Sequence, residues 1–464
     1  MQVAPNHSLL HSGSAKIDIT PPLTIPYLGF VPRHALFDGV HDPLIARAVS
    51  LDDGTTAAVV IAADAIGYSN AILGPQRNFT QELRQRITTQ TGVPGAHIML
   101  AASHAHSTPE TLNVRRLLDT PAAAAWLEVL LDQLASVAMM AWRQRKPCRL
   151  TVGKGAVHDL ARNRRVIGRD GRTVGGPETT PDLTNASAGP LDPSVRVALI
   201  EALDDATRTV LVNFACHPVT VQVQPFVSAD FPGVAMAMVE RSLPGCTNAL
   251  FLQGACGNLN PIRNTTDFAD VERYGLMLGG EVVKLAAQLT APDACAEGTT
   301  VALQSEIINL AVRDLPARPA LQQAYDEASR KSGATTDSVE QVRHQSELRL
   351  AEEALILIDR GLDPIAAEIQ IIHIGGLALV ALPGEPFVEL GLTIQQQSPA
   401  SHTFVIGYAN DYIGYLPTTV AWEQGGYEVA LGPWTRVGKM GGAQLAAKAV
   451  TMLHAHAAST TPSV

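Results

Sequence analysis

The chain has 464 residues, 46% of them hydrophobic and 17% charged, with 37 glycines and 30 prolines. That balance describes a loop-rich globular α/β protein with a large core rather than a disordered chain. A formal charge of −10, with no cluster of Lys and Arg along one segment, argues against nucleic acid or an anionic membrane as the main partner and leaves small molecules.

The five cysteines, Cys148, Cys216, Cys246, Cys256 and Cys295, are scattered and form no C-x-x-C pair, so reduced thiols are expected rather than a disulfide framework or a zinc ribbon. The opening residues hold no apolar stretch of signal-peptide length, and no segment reads as a membrane span, so a cytoplasmic protein is the expectation. Along the chain, "LIARAVSLDDGTTAAVVIAAD" predicts two strands around a DDG turn, followed by a helix starting near "GPQRNFTQELRQRI" and the strand "HIMLAA". A long helix is expected over 121–146, then the strand "LTVGKGAV" and a Gly/Pro/Thr-rich loop over 166–193.

"SVRVALIEA" and "TRTVLVNFACH" predict a second hairpin, "FPGVAMAMVERSL" a helix, and "NALFLQGACGN" a strand running into Gly and Asn. Residues 315–361, rich in Glu, Arg, Gln and Ala, read as two antiparallel helices broken at "KSGATTDS". "AAEIQIIHIGGLALVALPGE" reads as a further hairpin whose second strand ends at Glu385. The expectation is an α/β fold: mixed β-sheets flanked by helices, one large domain over 1–464 with a helical insertion at 315–361 and a disordered tail at 457–464.

Four apolar strands end in groups able to bind a metal or move a proton: His104 and His106 in "IMLAASHAHSTPE", His217 in "NFACHPV", Asn258 and Asn260 in "QGACGNLNP", and Glu385 in "LPGEP". In α/β proteins, sites gather at the carboxyl ends of strands. Two histidines and a glutamate are the ligand set of a catalytic zinc with one open position. Each residue also has an ordinary explanation. His217 before Pro218 could simply end a strand, Glu385 could cap the helix starting at "PFVELGLTIQQQ", and the asparagines could satisfy a tight turn.

Together, "KIDITPP", "HDPLIARAVSLDDG", "SHAHSTP", "NFACHPVTV", "SADFPG", "QGACGNLNP", "ALPGEPF" and "GYANDYIGYLPT" with "GGYE" stand in the order found in the neutral/alkaline non-lysosomal ceramidases, which the chain resembles over most of its length. The resemblance implies a zinc-dependent amide hydrolase, with His104, His217 and Glu385 as zinc ligands and Tyr415 as a fourth. It places His106 toward substrate, Arg164 of "ARNRR" near the reacting carbonyl, and Tyr427 as a second active-site tyrosine. Asn258 would touch substrate. A guanidinium or phenol beside a polarised carbonyl would stabilise a developing oxyanion, although Arg164 could equally be a surface residue of a basic run.

The chain departs from the family where ceramidases read G-D-V-S-P-N with a catalytic serine. Here the run is Gly257-Asn258-Leu259-Asn260-Pro261-Ile262, and Asn260 cannot be a nucleophile. The expectation is also of a chain that ends soon after its last helix, without the immunoglobulin-like domain of full-length ceramidases. The expectation is a zinc-dependent hydrolase of an amide bond in a small acylated substrate, with Asn260 as a polar donor and with long-chain ceramide disfavoured. A zinc esterase or lactonase, or a metal-binding protein that has lost catalysis, stands as the alternative. Self-association into a homo-oligomer stays open.

Overall fold

The computed structural model describes residues 9–26, 36–114, 117–174, 186–262, 266–291, 294, 296–334, 338–359 and 363–460. Its centre is an eight-stranded mixed sheet in the spatial order Cys246–Gln253, Arg208–Phe214, Ser194–Ala202, Lys146–Ala156, His11–Asp18, Ile45–Asp52, Ala57–Ala63, Ile98–Ala102. Both predicted hairpins are present as antiparallel pairs within it. In the first, Asp53 closes the turn because its carboxylate accepts the backbone N–H groups of Thr55 and Thr56 at 2.8 and 2.7 Å.

Only the two outermost pairs of the sheet are parallel. A parallel connection needs a crossover, and the chain supplies one each time: helix Phe79–Thr91 before Ile98–Ala102, and helix Asp230–Ser242 before Cys246–Gln253. The parallel edge strands end side by side with their neighbours, which is where His104 and His217 emerge. A second sheet, Val301–Leu310, Ile365–Ile374, Leu377–Ala381 and His402–Ile406, also closes on a parallel pair.

His11–Asp18 pairs with Lys146–Ala156 over only two residues, so the large sheet opens there into two halves. One apolar cluster fills the space between them. It joins Val49, Val60 and Met99 of one half to Ile200, Leu211 and Leu250 of the other, and both to Ile372, Leu379 and Phe404 of the second sheet. Helices cover the outer faces: Phe79–Thr91 and Ala123–Arg143 on one half, Asp230–Ser242 and Phe268–Leu289 on the other, Val388–Gln397 and Gly441–Thr460 on the second sheet.

Four readings of the sequence change. Residues 166–193 are not a bare loop, since Val166–Gly168, Thr173–Val174 and Ala186–Ala188 form a three-stranded sheet, with 175–185 outside the described residues. Residues 457–460 of the expected tail continue the last helix, while 461–464 lie outside the described residues. Helix Ala123–Arg143 is, by length and composition, apolar enough to cross a membrane, contrary to the sequence reading. Its stripe of Leu127, Leu130, Leu131, Leu134 and Ala138 is buried against the sheet, which accounts for the composition. The strand expected to reach Glu385 stops at Ala381, and Glu385 opens a separate two-residue strand paired in parallel with Tyr415–Leu416. The insertion is as expected, two helices Arg318–Ala334 and Ser338–Asp359 with Leu321, Ala328, Ala354 and Leu357 buried.

Asp230 opens its helix in the left-handed region at φ 54°, a conformation Asp tolerates better than most residues. Its buried carboxylate accepts the N–H groups of Phe231 and Val221 at 2.7 and 3.3 Å. Burial outweighs these bonds and raises its pKa to about 6. A carboxyl raised above its unfolded value contributes stability that is complete below pH ~4 and lost as pH rises through 6, a change of about 3 kcal/mol. Denaturant unfolding of the wild type and Asp230→Asn at pH 4 and pH 7 should therefore show the wild type gaining on the variant by up to about 3 kcal/mol at the lower pH. An equal difference at both would refute it.

Candidate metal centre

The strand Ile98–Ala102 runs through Ser103 to His104, which is held at φ 66° with its ring 1% exposed. Strain at a buried polar residue persists only where the surroundings over-determine it. Here the His104 backbone N–H donates to Ala65 O at 2.8 Å and its ring Nδ1 lies 2.6 Å from Ile66 O. His217, equally buried, has its Nδ1 2.6 Å from Cys256 O. A carbonyl oxygen only accepts, so in both rings Nδ1 carries the proton and, in the neutral ring, Nε2 presents a lone pair. Burial, followed by the charge of Arg164, pushes the His217 pKa down to about 4, so the ring is neutral at pH 7.

Those lone pairs converge. His104, His106 and His217 place their ring nitrogens within 4.8 Å of one another, and His104 Nε2 is 3.1 Å from His106 Nε2. Glu385 completes the group, its Oε2 3.1 Å from His217 Nε2 and 3.5 Å from His104 Nε2. Although burial opposes its charge, the adjoining His104 and His217 hold the Glu385 carboxyl well below the usual range. His106 is driven well below its ordinary value, first by burial and then by His104 and His217.

Acceptors this close repel unless a cation lies between them. Two ligands at about 2.0–2.1 Å from one tetrahedral ion stand roughly 3.3–3.4 Å apart, which the spacings of 3.1 and 3.5 Å straddle. The backbone carbonyls on the Nδ1 atoms are the outer partners that orient metal-bound imidazoles elsewhere. The residues fit a metal ion. Two phenols support the carboxylate from behind: Tyr412 donates to Oε1 at 2.7 Å and Tyr408 to Oε2 at 3.3 Å, while the Tyr408 ring stacks on His104 at 3.9 Å. Burial, then Glu385 among the nearby charges, pushes both phenols well up, so both remain donors.

Beside this cluster lies a buried cationic one. Arg164 donates from Nε to Glu428 at 2.8 Å, from Nη1 to Asn260 Oδ1 at 3.0 Å, and from Nη2 to Gly257 O at 2.8 Å and Tyr415 Oη at 2.9 Å. Arg165 Nη1 takes the other oxygen of Glu428 at 2.7 Å. Burial opposes the Arg164 charge, but Tyr415 and Glu428 outweigh it and the guanidinium stays charged. Tyr427 packs edge-on against Tyr415, with ring centroids 5.9 Å apart.

All nine residues singled out from the sequence lie in this region, and eight of them divide into two groups. His104, His106, His217 and Glu385 form the acceptor cluster; Arg164, Asn260, Tyr415 and Tyr427 form the cationic, aromatic wall. Asn258 faces a different partner, its amide donating to Glu389 at 2.9 Å and its Oδ1 accepting Val388 N–H at 2.9 Å, so it ties down the start of helix Val388–Gln397. Glu385 is no helix cap, because that helix begins after Phe387 without a side-chain cap. Arg164 is buried, which removes the surface alternative. His106 stands among the imidazoles, and the Tyr415 hydroxyl contacts Arg164.

Gly257 allows the two groups to meet, since a Cβ there would lie 2.6 Å from Glu385 O. Sequence reasoning missed Tyr408, Tyr412 and Glu428. The signal was present as the density of tyrosines in "GYANDYIGY" and the Glu following Tyr427.

A buried imidazole and carboxylate centre at strand ends of a mixed α/β fold is an arrangement that could hold a metal ion. Among solved structures, the fold is that of the neutral ceramidases. The neutral ceramidase from Pseudomonas aeruginosa aligns over 98% of this chain and 76% of its own, at 19% identity and a TM-score of 0.72. A ceramidase complexed with C2 aligns over 98% and 77%, at 18% identity and a TM-score of 0.68. No protein-family model and no curated protein matches the sequence.

Glu428 is the only carboxylate described between Arg164 and Arg165 in these contacts, and removing one partner of a buried ion pair costs about 3–5 kcal/mol. Glu428→Gln should therefore lower the thermal unfolding midpoint by several degrees, whereas Glu423→Gln at an exposed pair with Lys439 should leave it nearly unchanged. Equal midpoints for the two variants would contradict this account of the network.

Proposed function

We propose that the protein is a zinc-dependent hydrolase that cleaves an amide bond in a small N-acylated substrate other than long-chain ceramide. The observation that carries this reading is the set of acceptors, buried His104, His217 and Glu385 and half-buried His106, facing one point beside a charged arginine and protonated tyrosines. Imidazole nitrogen with a single carboxylate suits zinc better than it suits calcium or magnesium, which take oxygen ligands. When bound, zinc supplies a Lewis acid and a water of lowered pKa. The likeness to structures named as ceramidases supports amide hydrolysis as the reaction class.

In this reading His104, His217 and Glu385 hold the ion, with their outer hydrogen bonds fixing each ring and oxygen in place. His106 is the least buried of the three imidazoles. It takes the substrate side, where its neutral ring accepts the proton of the attacking water. Tyr415 and Arg164 are donors locked in position before substrate arrives, which is what stabilising a developing oxyanion requires. Tyr427 extends the same wall. Asn260 orients Arg164 through the 3.0 Å bond. A side-chain amide is no nucleophile, so attack falls to water, and this exchange at the position of the family's serine is where the chain departs from the ceramidases it resembles.

Protein purified from zinc-replete medium should contain about one zinc per chain. His217→Ala and Glu385→Ala should each lose both the metal and N-acyl hydrolysis, and short or polar N-acyl compounds should be cleaved in preference to long-chain ceramide. A metal-free wild type, or long-chain ceramide as the best substrate, would overturn the reading. A second expectation concerns Asn260. Loss of one preorganised group typically costs on the order of 10²–10³ in kcat, so Asn260→Ala should fall by that factor with its zinc retained. Asn260→Ser should show no burst of first product, whereas a burst would mean that this position carries a nucleophile.

A further inference from the structure

The two oxygens of Glu385 have different surroundings. Oε2 faces His217 Nε2 at 3.1 Å, His104 Nε2 at 3.5 Å and the Tyr408 hydroxyl at 3.3 Å, whereas Oε1 accepts the Tyr412 hydroxyl at 2.7 Å. The shorter O–H···O contact is the stronger.

The segment that delivers both tyrosines is held at some cost. Tyr408 and Asn410 sit in the left-handed region at φ 54° and 62°. Each non-glycine residue there costs roughly 1–2 kcal/mol. The conformation persists because the segment is bonded to both strands that deliver the candidate ligands. Toward the His104 strand, Ala102 N–H donates to Tyr408 O at 3.2 Å, Asn410 N–H to Leu100 O at 2.8 Å, and Leu100 N–H to Asn410 Oδ1 at 3.0 Å. Toward Glu385, Tyr408 N–H donates to Gly384 O at 2.9 Å and Ala409 N–H to Leu382 O at 3.1 Å. Thr80 Oγ1 adds a bond to Asn410 O at 2.6 Å. A strained loop pinned at both ends, whose side chains reach the same carboxylate, is built to fix the orientation of that carboxylate.

We propose that Tyr412 is a positioning residue that confines Glu385 to ligation through Oε2 alone. The proposal rests on the metal-centre reading above. A carboxylate free to rotate can present both oxygens to an ion, and the second oxygen then occupies the position that a catalytic site leaves for water or substrate. With Oε1 engaged by the phenol, that position stays open. Tyr408 has a different part, since its ring packs on His104 and its hydroxyl also lies 3.2 Å from Cys256 Sγ. The two tyrosines should therefore be separable.

The test uses the full-length protein stripped of metal and titrated with Co²⁺, whose visible absorption weakens as coordination rises from four to five or six. Compared with the wild type, Tyr412→Phe should bind Co²⁺ about 10–100-fold more weakly, the usual effect of losing an outer-shell partner, and its visible bands should lose intensity. Tyr408→Phe should retain the wild-type spectrum. Thermal unfolding of the metal-free proteins provides the structural control, because a fold defect would lower the midpoint without moving the spectrum of the metal that does bind. Wild-type affinity and spectrum in Tyr412→Phe would overturn the role of Tyr412 while leaving the metal centre standing. A wild type that binds no Co²⁺ or Zn²⁺ would overturn the metal centre itself.

Discussion

A carboxylate 2% exposed to solvent, facing imidazoles that also present lone pairs, is a costly thing to bury. An isolated charge in the interior carries a penalty of several kcal/mol, and like acceptors at 3 Å add to it. The arrangement is affordable only with positive charge in its midst. Much of the surrounding structure serves to keep these groups in place against their mutual repulsion: carbonyls on the Nδ1 atoms, phenols on Glu385, and Arg164 one layer out.

Placement depends on where the sheets end. His104 follows an edge strand of the large sheet, His217 follows Arg208–Phe214 near the opposite edge, and Glu385 follows the second sheet. These ends meet because the large sheet opens between His11–Asp18 and Lys146–Ala156 and its halves share one core with the second sheet. Core packing and the geometry of this cluster are thus one problem. A shift in how Leu250, Ile372 and Phe404 interdigitate would displace side chains that lie over 100 residues apart in sequence, His104, His217 and Glu385.

The strands and helices were legible because their cause is local. Alternation and apolar runs mark the hairpins, and an Asn or Asp before an apolar period marks a helix start, as Asn78 does through its bond to Gln81 N–H. The short strands at 166–188 were not legible, since two- and three-residue pairings in Gly- and Pro-rich sequence are set by what they pack on. Ligand-type residues at strand ends were visible one by one. Their meeting was not, because it depends on the order of strands across two sheets. The resemblance to ceramidases supplied that missing step for His104, His217 and Glu385, but gave no reason to notice Tyr408, Tyr412 or Glu428. Those three act through other side chains, and only distances reveal such a role.

Asn260 shows how backbone pairing and a single side chain together place a buried guanidinium. Its strand, Leu259–Pro261, pairs with Ala161–Asn163, just ahead of Arg164, and Arg164 N–H donates to Asn258 O at 2.9 Å. Backbone pairing therefore already brings the two segments together, and the side chain at 260 decides what the guanidinium does. An amide is long enough for Oδ1 to reach Nη1 at 3.0 Å. A serine hydroxyl on the same backbone is one atom shorter and would leave that N–H to another acceptor. Asn260 thus holds the guanidinium through an acceptor. On the reading proposed above, attack falls to water, and a substrate carbonyl need only reach Tyr415 and Arg164, whose positions this backbone pairing already sets.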